Sequence, residues 1–155
     1  MAKPQVLGSN PFCPPLSDKA PFVLDTNIVL DLYVFNDPAT SILRSALESG
    51  RLRWLATLPM RDELERVLTY SQIVRSLKHH QTDCAAVLAK CDAHCEEVAI
   101  APKANVTCKD PDDQKFIDLA VAHRAHLLSK DRAVLCMKKR LAALAVCAQA
   151  AIVFD

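Results

Sequence analysis

The chain has 155 residues, 51% of them apolar, which suits one domain with a sizeable core. Nineteen basic and eighteen acidic residues leave a formal net charge of +1, so no global basic field advertises nucleic acid and any such binding must come from a local patch. Only two glycines occur, Gly8 and Gly50, which favours a helix-rich chain and excludes the Gly-rich phosphate loops of P-loop and dinucleotide folds.

Residues 1–20 form an irregular arm, because Pro4, Pro11, Pro14 and Pro15 break any helix and no periodic pattern appears. The opening stretch lacks the apolar core of a signal peptide, and no apolar run approaches the length of a membrane span. Residues 21–155 read as one domain. Within it, 22–24 is a short apolar strand, 28–35 a short helix, and 39–49 a helix stopped by Gly50. A second strand is expected over 52–56. Thr57-Leu58-Pro59 starts a helix with Pro in its first turn, running to about residue 70. Two more helices cover 71–79 and 81–97, and 98–101 reads as a short strand. A helix over 113–125, a strand over 126–129, a helix over 132–144 and a last strand over 151–154 complete the chain. Strands separated by helices imply an α/β fold: a three-layer α/β/α sandwich with a central, mostly parallel sheet.

Seven cysteines show no paired disulfide spacing. A reducing cytosol is the simplest setting, with the thiols acting mostly as small buried apolar groups. Cys91, His94 and Cys95 fall within about one helical turn, with Cys84 upstream. Zinc would want a Cys-x-x-Cys pair or a second matching cluster. Neither is present, so these read as reduced core thiols.

The acids carry more. In open parallel sheets, ligands bind beyond the carboxyl ends of the strands. Asp25 follows the first strand, in Leu24-Asp25-Thr26-Asn27, and Asp131 follows the strand at Leu127-Leu128. Met60, Leu64, Val67 and Leu68 form one apolar helix stripe, and Glu63 lies on its flank at about 100° per residue. Asp62 and Glu65 fall farther round, toward solvent. Asp113 falls near the middle of the stripe made by Phe116, Ile117 and Ala120, and an acid there also suits the helix dipole. Asp110 and Asp112 are neighbouring alternatives, and simple N-capping would by itself explain an Asp at this place. Four converging carboxylates repel one another unless a cation joins them. Mg2+ characteristically takes a few carboxylates plus water and can activate that water against a phosphodiester.

These segments resemble the PIN-domain ribonucleases, in particular the VapC-like branch that serves as toxins of toxin–antitoxin pairs. The matching pieces are Val23-Leu24-Asp25-Thr26-Asn27, Glu63 within Arg61-Asp62-Glu63-Leu64-Glu65-Arg66-Val67-Leu68, Asp110-Pro111-Asp112-Asp113-Gln114-Lys115-Phe116, and Leu127-Leu128-Ser129-Lys130-Asp131. Each is short, but their order and spacing cover about residues 21–135. The resemblance implies Asp25, Glu63, Asp113 and Asp131 as catalytic, metal-ligating acids, with Mg2+ or Mn2+, water as nucleophile and RNA as substrate. Asn27 and Ser129 match polar positions that support the pocket. It further implies a homodimer and a protein antitoxin, while the cytoplasmic setting is the one read from the reduced thiols. Two features depart from the pattern: Ala133 stands where many relatives carry another acid, and the proline-rich arm is additional.

Arg61, Lys109, Lys130 and Arg132 flank the acids and are candidate RNA contacts, with ordinary solvated surface as the plain alternative. A dehalogenase-type phosphatase would want an Asp where Asn27 stands, and a receiver domain would want paired N-terminal acids. The competing reading from another class is a non-catalytic PIN scaffold that binds RNA or protein; such scaffolds commonly lose acids of the quartet.

Overall fold

In the computed structural model, which describes Cys13 and residues 16–152, five strands form one sheet. They are β1 (Ala20–Leu24), β2 (Leu52–Ala56), β3 (Cys95–Glu97), β4 (His126–Leu128) and β5 (Ala148–Gln149), in the order β3-β2-β1-β4-β5. Every pairing is parallel. The expected α/β class and parallel sheet are therefore observed.

Parallel strands need helical crossovers, and both faces of such a sheet are covered. Alternate strand residues accordingly enter two cores. Phe22, Leu24, Trp54 and Leu128 pack into one, with Leu32 and Leu43 from α1 (Thr26–Tyr33) and α2 (Ser41–Glu48). Leu64 of α3 (Leu58–Val67), Ile73 and Leu77 of α4 (Ser71–His79) and Val87 and Cys91 of α5 (Cys84–His94) join the same core. Val23, Leu55 and Leu127 enter the other. There they meet Phe116, Ile117 and Ala120 of α6 (Gln114–His123), Val134 of α7 (Arg132–Leu135) and Leu141 of α8 (Lys138–Ala142). The result is a three-layer sandwich. No helix among the described residues is long and apolar enough to cross a membrane.

The structure corrects four details. The helix expected over 81–97 begins only at Cys84, where the Asp83 side chain accepts the Ala86 N–H at 2.8 Å, and it ends at His94. Cys95–Glu97 is strand β3, because pairing with Trp54, Leu55 and Ala56 of β2 outweighs local helical periodicity. The strand expected over 98–101 is absent; only the Val98 N–H continues the ladder, to the Ala56 carbonyl. The helix expected over 132–144 is two short ones. Val134, Met137 and Leu141 keep a helical spacing across the break at Met137 and are all buried, which is why the pattern reads as continuous. The last strand is Ala148–Gln149, in register with Leu127 and Leu128, rather than 151–154. Residues 153 and 154 lie outside the described residues, as does most of the expected N-terminal arm.

The cysteines are also corrected in part. Cys13 and Cys147 form a disulfide with a Cα–Cα separation of 5.1 Å. It joins the segment before β1 to the residue preceding β5, a proximity that 134 positions of sequence separation conceal. Cys84, Cys91, Cys95, Cys108 and Cys136 are free thiols, with Cys91 and Cys108 buried and Cys136 exposed.

Candidate metal centre

β1 is flanked by β2 and β4, so the strand order reverses beside it, and the crevice at such a switch point opens at the carboxyl ends of the strands. Asp25 follows β1 directly. Its backbone N–H donates to the Leu128 carbonyl at 2.9 Å, and its side chain caps α1 through the Asn27 N–H at 3.4 Å. Asp131 lies just beyond β4 and caps α7, accepting the Ala133 N–H at 2.9 Å. Asp113 closes a 3-10 turn (Pro111–Asp113) and forms the N-cap of α6, which packs on β1 and β4. Three separate elements thus deliver three carboxylates to one point. One ligand oxygen from each of Asp25, Asp113 and Asp131 lies within 4.8 Å of the others.

Ser129 locks two of them together. Its hydroxyl donates to Asp25 Oδ2 at 2.7 Å and accepts the Asp131 N–H at 3.0 Å. Asp113 is not satisfied in this way: it is 6% exposed, yet its Oδ2 is buried with no hydrogen-bond partner. A buried carboxylate oxygen beside two other acids requires a proton or a cation. Burial is the largest force raising the Asp113 carboxyl, followed by the hydrogen-bonding contact with Asp131 and the charges of Asp25, Asp131 and Asp110. Together they push it up to about 8. Burial also raises Asp25, against the opposing effect of the Ser129 hydrogen bond.

Glu63 projects from α3 at the side of this cluster and is not one of the three converging acids. Its Oε2 accepts the Thr26 hydroxyl at 2.5 Å, and its Oε1 meets Lys115 Nζ at 2.9 Å. It remains close enough to Asp25 to raise that group's proton affinity. Of its helix neighbours, Asp62 and Glu65 are exposed. Asp112 is exposed as well, and Asp110 is spent capping the 3-10 turn, accepting the Asp112 N–H at 3.0 Å. Asn27 contributes its backbone N–H, while its side chain is exposed.

The four candidate cations differ in what already holds them. Arg61 forks onto Asp92 with two bonds of 3.0 Å and also reaches Glu65 at 3.0 Å. Lys130 pairs with Asp31 of α1. Lys109 and Arg132 are exposed. Sequence reasoning assigned no role to Thr26 and Lys115. No local signal marks them, since each meets Glu63 across a helix boundary, at separations of 37 and 52 residues.

The sequence profile of the PIN domain matches residues 21–133, a span that contains all four candidate acids. The chain belongs to the PIN-domain family. The fold agrees: one chain of the crystal structure of VapBC2 from Rickettsia felis, bound to a DNA fragment from its promoter, superposes on this PIN domain with a TM-score of 0.55. The match covers 83% of this chain and 98% of that one at 12% sequence identity, so what the two share is the fold. No curated protein sequence matches the chain significantly. The PIN assignment agrees with the buried acidic cluster, whose all-oxygen donor set suits a hard divalent cation.

Proposed function

We propose that this PIN domain is a divalent-metal-dependent endoribonuclease, hydrolysing phosphodiester bonds of RNA. The observation that carries this reading is the convergence of Asp25, Asp113 and Asp131, with the Asp113 Oδ2 buried and unpartnered. Asp25, Asp113 and Asp131 would hold Mg2+ or Mn2+, and Glu63 supplies the fourth acid from the flank. When bound, the ion would polarise a phosphoryl oxygen and ease deprotonation of the attacking water. Ser129 fixes the relative placement of Asp25 and Asp131, and Thr26 orients Glu63. Lys109 and Arg132, exposed beside two of the acid-bearing segments, would meet the RNA backbone.

We further propose that the chain is the toxin of a toxin–antitoxin pair, working as a cytoplasmic homodimer masked by a protein antitoxin. The fold shared with a chain of the VapBC2 complex supports this reading. In the cytoplasm the Cys13–Cys147 bond would meet a reducing environment.

The test is cleavage of defined single-stranded RNAs with Mg2+ or Mn2+, with end mapping, in the presence and absence of chelator. Asp25→Asn abolishes cleavage while the circular dichroism spectrum is unchanged. Equal cleavage by that variant, or cleavage that survives chelation, overturns the proposal. Metal-independent RNA binding without cleavage establishes the non-catalytic scaffold instead.

A further inference from the structure

We propose that Lys115 occupies the place of a second cation, so that this centre takes up one divalent ion per chain rather than two. The inference rests on the metal-centre reading above and concerns the number of ions it admits.

Two-metal nuclease centres hold their ions roughly 3.5–4 Å apart and need carboxylate oxygens free on the side of the second ion. In this chain the fourth acid, on the flank of the three, is Glu63, and both of its oxygens are engaged. Thr26 Oγ1 donates to Oε2 at 2.5 Å, and Lys115 Nζ donates to Oε1 at 2.9 Å. The ammonium is itself well placed. It donates to the Asp112 carbonyl at 2.6 Å and lies 4.8 Å from the centre of the Phe116 ring. The Lys115 and Glu63 side chains are 28% and 18% exposed, so solvent and salt screen the pair less than a surface pair. The other three acids have no such partner. The described ion pairs include none to Asp25, Asp113 or Asp131, and the Asp113 Oδ2 has no hydrogen bond. The site therefore divides into a cluster of three carboxylates with no described cation partner and a fourth carboxylate already neutralised by a fixed monovalent cation.

The experiment measures Mn2+ stoichiometry by isothermal titration calorimetry and by electron paramagnetic resonance, at one near-neutral pH, without RNA. Wild type binds one ion per chain and shows the spectrum of isolated Mn2+. Lys115→Met, which keeps the length of the stem and removes the charge, binds two, with the broadened signal of a coupled pair. Lys115→Arg, which keeps the charge, stays at one. Adding Glu63→Gln to Lys115→Met returns the count to one. Two ions in wild type or in Lys115→Arg, or one ion in a Lys115→Met protein whose near-ultraviolet circular dichroism is native, overturns the inference while leaving the metal centre intact. No ion in wild type sinks the metal-centre reading itself, and this inference with it.

Discussion

The Ser129 hydroxyl donates to Asp25 Oδ2 at 2.7 Å from the end of the neighbouring strand, and the same oxygen receives the Asp131 N–H. One buried hydroxyl therefore sets the spacing of two acids that lie 104 and two residues away from it in sequence. Ser129→Ala leaves a buried carboxylate oxygen and a backbone N–H without their partner. The expected outcome is a loss of about 1–3 kcal/mol in unfolding free energy and a fall of roughly 10–100-fold in Mn2+ affinity. Chemical denaturation and calorimetry read the two effects separately. An unchanged Mn2+ affinity would show that Ser129 does not organise the centre.

The Asp113 carboxyl makes the metal-free protein sensitive to pH in a defined direction. Its native value, about 8, lies above the ordinary 3.8, so between these values the folded state binds more protons than the unfolded state. The stabilising contribution is whole below the ordinary value and is lost as pH rises through the native one. Asp113→Asn removes this slope. In metal-free protein its stability relative to wild type should improve with rising pH by up to about 1.4 kcal/mol per unit, levelling off above about 8. Denaturation curves across that range decide the point, and parallel curves for the two proteins would contradict it.

A cation in the cluster must displace that proton. Mn2+ affinity should therefore increase by up to roughly tenfold per pH unit while Asp113 remains protonated, because binding releases a proton. Calorimetry in buffers of different ionisation enthalpy counts the protons released. A pH-independent affinity with no proton release would place the ion elsewhere.

The Cys13–Cys147 disulfide closes a loop spanning 134 positions of sequence. By chain entropy such a loop contributes about 5 kcal/mol at most. Dithiothreitol or Cys147→Ser should lower the midpoint of thermal unfolding, and the reductant should have no further effect on the Cys147→Ser variant. A reductant-insensitive melting temperature in wild type would mean that the bond does not constrain the unfolded chain.

Lys109 and Arg132 are exposed, whereas Arg61 and Lys130 are committed to ion pairs. RNA binding by the Asp25→Asn protein should weaken when Lys109 and Arg132 are both replaced by Ala. The slope of log affinity against log salt should fall by about 0.7 for each phosphate that is no longer neutralised. Arg61→Ala should leave that slope unchanged. The reverse ranking would show that the ion pairs open for RNA.

Features that depend on local pattern were legible in the amino-acid order. Apolar strands bounded by turns specify a parallel α/β sheet. An acid directly after β1 and another just after β4 must share the carboxyl edge of that sheet, because parallel strands end on the same side. Helical phase likewise separates half-buried Glu63 from exposed Asp62 and Glu65, since side-chain direction follows from the 3.6-residue turn. Elements that owe their form to a partner were not legible. Cys95–Glu97 is a strand because β2 offers it hydrogen bonds, and Ala148–Gln149 because β4 does. The same limit applies at the acids. Only the tertiary structure brings Lys115 of α6 to Glu63 of α3, and only the strand neighbours β1 and β4 put Ser129 on Asp25. Only the folded chain brings Cys13 to Cys147. Which acids converge, and which one is neutralised by a lysine, depends on distances between segments remote in sequence, and these are decided by how the two cores pack on the sheet.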